Sequence, residues 1–272
     1  MKLQIETYHG CNARCSVCTI DQWKRTKGPI DDALFETIIT QALDLMPNLE
    51  VISLYMDGEP FLDKKIAERI AKCKELRLPH VGFSSNGSLL TRKAAYDVLK
   101  AGMDWIAISL DSMDAASYEG NRIGLNHADV VANIHGLIEE RKSLNKNLEI
   151  SLRFLDFPGN NQTFSEYKTY WEQYLLDTDK IVYCPCHNWG EGEAKKVITT
   201  KCIHPFKNMV VLNNGVVPMC CVDYNAETPM GTVPDQTLSE IWNGELFKHI
   251  RMHHEAGTRD RIDRCRGCTV FK

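Results

Sequence analysis

The chain has 272 residues, 43% of them hydrophobic and 25% charged, with a formal net charge of −4 and a pI near 6.1. That is enough chain to bury a sizeable core in one large domain, or in one domain with a small appendage, and with no basic block it excludes a nucleic-acid-binding face. The opening MKLQIETYHG lacks the apolar stretch and cleavage site of a signal peptide, no run of about 18 apolar residues spans a membrane, and eleven cysteines in such a chain predict a cytoplasmic protein with reduced thiols, clustered for metal or redox chemistry.

From the N-terminus, LQIETY (3–8) alternates like a strand. Residues 31–46 predict a helix: Leu34, Phe35, Ile38, Ile39, Ala42, Leu45 and Met46 share one face, and Asp31 or Asp32 is placed to cap it. Strands follow at 51–56, 80–85, 104–110, 148–155 and 179–184, alternating with helices at 63–77, 91–102, 127–143 and 163–176; Gly102 ends the second of these helices. Six strands alternating with helices predict a parallel sheet, doubly wound or curled into a barrel. Beyond a stretch rich in Pro, Gly and charge, 184–201, the pattern changes. MVVLNNGVVPM (209–219) predicts a β-hairpin turning at Asn-Asn-Gly, 237–257 a helix, and C-R-G-C follows. The expected organisation is a β/α domain at 1–183, a linker at 184–201 and a small α+β domain, hairpin plus helix, at 202–272.

In parallel β/α folds the chemistry collects at the C-terminal ends of the strands. Here strand one runs into Cys11, Cys15 and Cys18, spaced C-x3-C-x2-C. Strand two runs into Asp57-Gly58-Glu59-Pro60, strand three into Ser84-Ser85-Asn86-Gly87, strand four into Ser109-Leu110-Asp111, and strand five carries Arg153. Three thiolates on one loop hold three irons of a [4Fe–4S] cube and leave one iron open to a reacting ligand. The alternative is a zinc site completed by His9 or a distant cysteine.

C-x3-C-x2-C after the first strand, with G-E-P after the second, resembles the radical S-adenosylmethionine (SAM) enzymes over residues 1 to about 183. The resemblance implies a partial (β/α)6 TIM-like barrel whose cluster, on Cys11, Cys15 and Cys18, offers its open iron to the amino and carboxylate groups of SAM. It implies that one electron, from a reductant such as flavodoxin or ferredoxin, cleaves SAM to methionine and a 5′-deoxyadenosyl radical that takes a hydrogen atom from substrate. Gly58 and Glu59 match the pair that holds the SAM amino group, a carboxylate suiting an ammonium. Ser85, Asn86, Ser109 and Asp111 fall where the family contacts ribose and methionine. Arg153 is positioned for the SAM carboxylate, with Arg122 as a second candidate. Asp57 stands where many members have another glycine.

Near the C-terminus, Cys202, Cys220, Cys265 and Cys268 provide four thiolates, which suit zinc or a second [4Fe–4S] cluster. The run from Cys202 through NNGVVPMCC, GTV and LSEIW to CRGC resembles the SPASM/twitch auxiliary-cluster module, in its shorter twitch form with one cluster. The resemblance implies iron–sulfur, and a fully ligated cluster that moves an electron. Cys73 reads as a core residue. Cys184 and Cys186, ending strand six, and Cys221, beside a ligand, are candidate hydrogen donors. His9, His187 and Trp189 lie near strand ends, where packing is the commoner role. MHHE (252–255) reads as a solvated helix end, because adjacent histidines point about 100° apart.

The expected function is hydrogen abstraction from a small polar substrate of sugar or aminocyclitol type, oxidised with the auxiliary cluster as electron acceptor. Twitch-bearing radical SAM dehydrogenases are similar in length and layout. The alternatives are redox-neutral epimerisation with a cysteine hydrogen donor and peptide maturation, against which stands the lack of a peptide-binding domain before residue 3. From another class comes a zinc-stabilised binding protein.

Overall fold

Seven parallel strands build the main sheet of the computed structural model, which describes residues 1–189 and 198–270. Part of the expected linker, 190–197, lies outside the described residues. Six strands are those the alternation predicts: β1 (Lys2–Ile5), β2 (Val51–Ser53), β3 (Val81–Ser85), β4 (Trp105–Ser109), β5 (Glu149–Asp156) and β6 (Lys180–Pro185). They lie side by side in chain order, and the seventh, β7 (Asn208–Val211), pairs on the outer edge of β1 in the register Lys2 with Asn208 to Ile5 with Val211. The edges, β6 and β7, do not pair with each other, so the wall is an open, partial barrel.

The crossovers carry α1 (Asp32–Gln41), α2 (Ile66–Glu75), α3 (Arg92–Lys100), α4 (Ala115–Asn121) with α5 (His127–Ser143), and α6 (Phe164–Trp171). Asp31 caps α1, accepting from the Ala33 and Leu34 amides at 2.9 and 3.1 Å. Phe35, Ile38 and Ile39 of α1 are buried against strands whose Leu3, Ile5, Ile52, Val81, Phe83, Ile106 and Ile108 are wholly buried. The helices cover the outer face of this parallel sheet, whereas Lys2, Gln4, Ser84, Ser109 and Arg153 on the other face line a cavity, so apolar and polar residues alternate along the strands. Among the described residues no helix is long and apolar enough to cross a membrane.

The expected hairpin at 209–219 is met in its turn, where the Leu212 amide donates to the Val216 carbonyl and the Gly215 amide to the Leu212 carbonyl, both at 2.9 Å, but its two arms join different sheets. Met209, Val210 and Val211 are all buried, as in a strand covered on both faces, and they join the main sheet. The antiparallel pair is instead β8 (Val216–Pro218) with β9 (Pro229–Thr232). The expected helix at 237–257 breaks at Gly244, whose extended backbone (φ −70, ψ 165) separates α8 (Leu238–Asn243) from α9 (Glu245–Glu255). Between β6 and β7 lies the one-turn α7 (His204–Lys207). β1 stops at Ile5 because the chain turns out of the sheet, and Tyr8–His9 then pairs antiparallel with Gly28–Pro29.

Candidate active site

A cavity of about 910 Å³ opens at the C-terminal ends of the strands and descends to Lys2 and Asn208. Cys11, Cys15 and Cys18 line it. So do Gly58, Glu59, Ser85, Asn86, Ser109, Asp111, Arg122 and Arg153, together with Cys184, Cys186 and Cys221. Cys202, Cys220, Cys265 and Cys268 do not. His187 and Trp189 also face the cavity, whereas His9 is wholly buried beside Glu6 and Trp23.

Backbone contact sets the distance between the cysteine loop and the turn after β2. A β-carbon on Gly58 would stand 2.5 Å from the Tyr8 carbonyl oxygen and 2.6 Å from that of Gly10, so only glycine fits. The Glu59 amide donates to the Gly10 carbonyl at 2.9 Å. The Glu59 carboxylate, 2% exposed, turns the other way. Its Oε1 accepts from the Ser85 hydroxyl (2.9 Å) and the Phe61 amide (3.1 Å), and its Oε2 from the Asn86 amide (2.8 Å). Burial raises its pKa, and these donors and Arg122 oppose the rise. The residue expected to meet the SAM amino group is thus also a brace between β2 and β3. Asn86 Nδ2 in turn donates to Cys11 Sγ at 3.7 Å.

Arg122 and Asp111, expected to meet SAM at separate points, face each other. Nε and Nη2 of Arg122 donate to the two Asp111 oxygens at 2.7 and 2.8 Å, and Asn121 Nδ2 adds a third bond at 2.8 Å. The remaining arm, Nη1, points at Cys15 Sγ at 3.6 Å. Burial alone would lower the Arg122 pKa, but the Asp111 carboxylate and its hydrogen bonds raise it. α4 positions this group: Arg122–Ile123, just after it, pair antiparallel with Arg14–Cys15, and Ser16 bonds Asn121 through both backbone and side chain. Arg153 lies between Ser109 of β4 and Val182 of β6. With Lys2 it acts on Tyr55, whose pKa burial would raise but these two cations and Ser84 lower.

Sequence reasoning missed two features of the cavity. One Asp57 oxygen is buried with no hydrogen-bond partner among the described residues. Burial, then the charge of Glu6, push its pKa well up against Arg25. Trp189 Nε1 donates to the Val17 carbonyl at 2.6 Å, and Asn188 Nδ2 to the Gly267 carbonyl at 2.8 Å. Adjacent residues after β6 thus touch both cysteine loops.

The donor set fits a cluster. Burial raises all three loop thiols, Cys18 to about 12, with the charges of Cys15, Asp57 and Cys11 adding to it. Thiolates at such a site call for bound positive charge, which iron supplies. Among the described residues no three His, Cys, Asp or Glu side chains converge to hold a single ion; a cube takes one thiolate per iron. In the C-terminal set, Cys265 senses the charges of Cys268 and Cys202, and Cys220 that of Cys265. His254 corrects the reading of MHHE as a solvated end. It is 2% exposed and lies against Cys202 and Cys265, because the loop after α9 folds back over that face.

A family model described as the radical SAM superfamily matches residues 5–148, and one described as an iron–sulfur cluster-binding domain, SPASM, matches 202–269. The chain is similar to the S-adenosyl-L-methionine-dependent 2-deoxy-scyllo-inosamine dehydrogenase of Niallia circulans, 23% identical over 269 residues, which cover 98% of this chain and 91% of the relative. Its fold is similar to that of BtrN in complex with AdoMet and 2-DOIA, with a TM-score of 0.69, 21% identity, and coverage of 98% of this chain and 92% of that one. It is likewise similar to anSMEcpe with bound AdoMet, with a TM-score of 0.71, 15% identity, and coverage of 98% and 88%. The chain belongs to the radical SAM superfamily: it is an enzyme that uses SAM and [4Fe–4S] clusters and carries a SPASM-type iron–sulfur domain at its C-terminal end.

Proposed function

We propose that the chain is a radical SAM dehydrogenase that oxidises a hydroxyl of a small cyclitol or sugar, with 1–183 as the radical-generating unit and 202–272 as the electron-accepting one. The observation that carries this is the division of the cysteines. Cys11, Cys15 and Cys18 line the cavity, whereas Cys202, Cys220, Cys265 and Cys268 stand outside it. A site that substrate does not touch suits electron transfer. A cavity of about 910 Å³ falls in the usual range for small-molecule sites, about 300–1,000 Å³. The dehydrogenase activity in the name of the Niallia circulans relative, similar along nearly the whole chain, supports the same reading.

With both clusters and SAM bound, the chemistry supplied is conversion of SAM and a secondary alcohol to methionine, 5′-deoxyadenosine, a ketone and a proton, the electron that opens SAM being matched by the one the substrate gives up. In this reading Cys11, Cys15 and Cys18 hold the SAM-binding cluster, and Arg122 stabilises the Cys15 thiolate. Gly58 and the Glu59 backbone set the SAM amino-group site, while Ser85, Asn86 and Ser109 border the nucleoside. Arg153, which has no carboxylate partner among the described residues, is the guanidinium for the SAM carboxylate, since Arg122 is committed to Asp111. An external one-electron donor of flavodoxin or ferredoxin type starts the cycle.

One observation favours epimerisation as a second reading. Cys184, Cys186 and Cys221 all face the cavity, and burial raises each thiol, which keeps it protonated and able to give a hydrogen atom. The test is anaerobic incubation of the reduced protein with SAM and 2-deoxy-scyllo-inosamine deuterated at its carbinol carbons. Deuterium in 5′-deoxyadenosine together with a ketone supports dehydrogenation. Deuterium in 5′-deoxyadenosine with an isomer one mass unit lighter, the abstracted deuterium replaced by a thiol hydrogen, and loss of that isomer in Cys221→Ala while deuterated 5′-deoxyadenosine still forms, support epimerisation. No transfer from this or related polyols rejects both.

A further inference from the structure

We propose that Arg259 and His254 are positioning residues that raise the reduction potential of the cluster on Cys202, Cys220, Cys265 and Cys268, and so suit it to accept the substrate electron. This rests on reading those four cysteines as cluster ligands.

Arg259 is 1% exposed. Two other arginines are nearly as deeply buried among the described residues, and each pairs with a carboxylate: Arg69 with Asp63 and Arg141 with Asp179, both at 2.6 Å. Arg259 has no carboxylate partner among the described residues. It donates instead to three backbone carbonyls, those of Thr200 (3.0 Å), Cys268 (2.8 Å) and Cys265 (3.5 Å), and its Nε has no partner among the described residues. An unpaired buried cation is costly, so a countercharge is expected close by. The nearby anions in question are the thiolates of Cys202 and Cys265, both of which feel the Arg259 charge. A four-thiolate cluster is anionic and gains one negative charge on reduction. A fixed cation beside it therefore favours the reduced form.

His254 works the same way through a hydrogen bond. The Cys202 amide can only donate, and it points at His254 Nδ1 at 3.1 Å. Nδ1 is therefore the acceptor, and the ring proton sits on Nε2. Nε2 faces Cys265 Sγ at 3.5 Å, so Nε2–H donates to the thiolate. Hydrogen bonds to cluster sulfurs and local net charge are the levers that set such potentials.

The test uses the full chain carrying Cys11→Ala, Cys15→Ala and Cys18→Ala, reconstituted anaerobically, so that a cluster remains only at the four-cysteine site. Its midpoint is read by redox titration with electron paramagnetic resonance. In this background Arg259→Gln is expected to shift the reduction equilibrium at least tenfold towards the oxidised cluster, a drop of about 59 mV for one electron, and Arg259→Lys to recover most of it. His254→Phe is expected to lower the midpoint as well and to remove one exchangeable-proton coupling from the reduced cluster. If Arg259→Gln does not hold iron, His254→Phe decides, a lowered midpoint supporting the proposal and an unchanged one overturning it. Unchanged midpoints with full iron in both variants overturn it too. A triple-alanine chain without iron overturns instead the reading of the four cysteines as ligands.

Discussion

Glu59→Gln separates two jobs of one carboxylate. The glutamine keeps the shape of the side chain, and its Oε1 can retain the Ser85 and Phe61 donors, at 2.9 and 3.1 Å in the native site. Its amide nitrogen then faces the Asn86 N–H, which now donates to Oε2 at 2.8 Å. A buried N–H left without an acceptor costs about 1–3 kcal/mol. Part of that is offset, because burial already penalises the ionised carboxylate. The expected loss of stability is about 1–2 kcal/mol, or roughly 2–8 °C in Tm for a chain of this size. Glu59→Ala, which strands all three donors and leaves a hole, is expected to cost about 3–5 kcal/mol. The assay is urea unfolding without SAM, paired with SAM binding by equilibrium dialysis. As a brace, the carboxylate lost in Glu59→Gln lowers stability and leaves SAM affinity within about threefold. Had the charge mainly paired with the SAM ammonium, losing a charged hydrogen bond would weaken SAM about tenfold to 100-fold at unchanged stability. That outcome would refute the reasoning.

Other expectations follow from the same packing. In Gly58→Ala the new β-carbon meets two backbone oxygens, at 2.5 and 2.6 Å, which no rotamer change relieves; iron analysis should fall from about eight to about four atoms per chain as the loop site is lost, and full loading would contradict the close-contact account. Arg25 donates to both oxygens of the fully buried Glu6, at 2.7 and 2.8 Å, so Arg25→Met should cost about 3–5 kcal/mol near neutral pH in urea unfolding. Burial alone would raise the Glu6 pKa, but hydrogen bonds from His9 and Arg25 hold it below its ordinary 4.5. Wild-type stability from this pair is therefore present above about pH 4.5 and lost as pH falls through the lower folded value, whereas in Arg25→Met burial dominates and acid stabilises. The gap between the two proteins should narrow on acidification, and a gap independent of pH would show that Arg25 acts by packing alone. A double-mutant cycle of Asp111→Asn with Arg122→Met should give a coupling above about 1 kcal/mol, and additivity would contradict the buried pair.

The rim of the cavity was legible in the sequence because strand order and strand ends follow from local pattern. The C-x3-C-x2-C loop, Gly58-Glu59, Ser85-Asn86, Ser109 and Arg153 were all placed by that logic, and they line one cavity. What escaped depends on contacts between distant residues. Asp111 and Arg122 meet only because the short polar helix α4, which has no apolar stripe to betray it, turns the chain back on itself. The run Met209–Val211 looked like a hairpin arm because Asn-Asn-Gly follows it, yet no local signal says that β1 has a free edge to fill. Helical periodicity could place His253 and His254 on different faces but not say which face the C-terminal loop would cover. Glu59 was readable as a carboxylate at a strand end, but not that Phe61, Ser85 and Asn86 would already occupy it.

The central claim is that three cysteines make the radical while four others take the electron. Its most direct test is Cys265→Ala with Cys268→Ala in one full-length chain, reconstituted anaerobically beside the native protein and assayed with dithionite, SAM and the deuterated aminocyclitol. The account predicts about eight irons in the native chain and about four in the variant, with deuterated 5′-deoxyadenosine still formed by the variant but no ketone. Ketone at the native yield from a chain holding only the cavity-side cluster would contradict it.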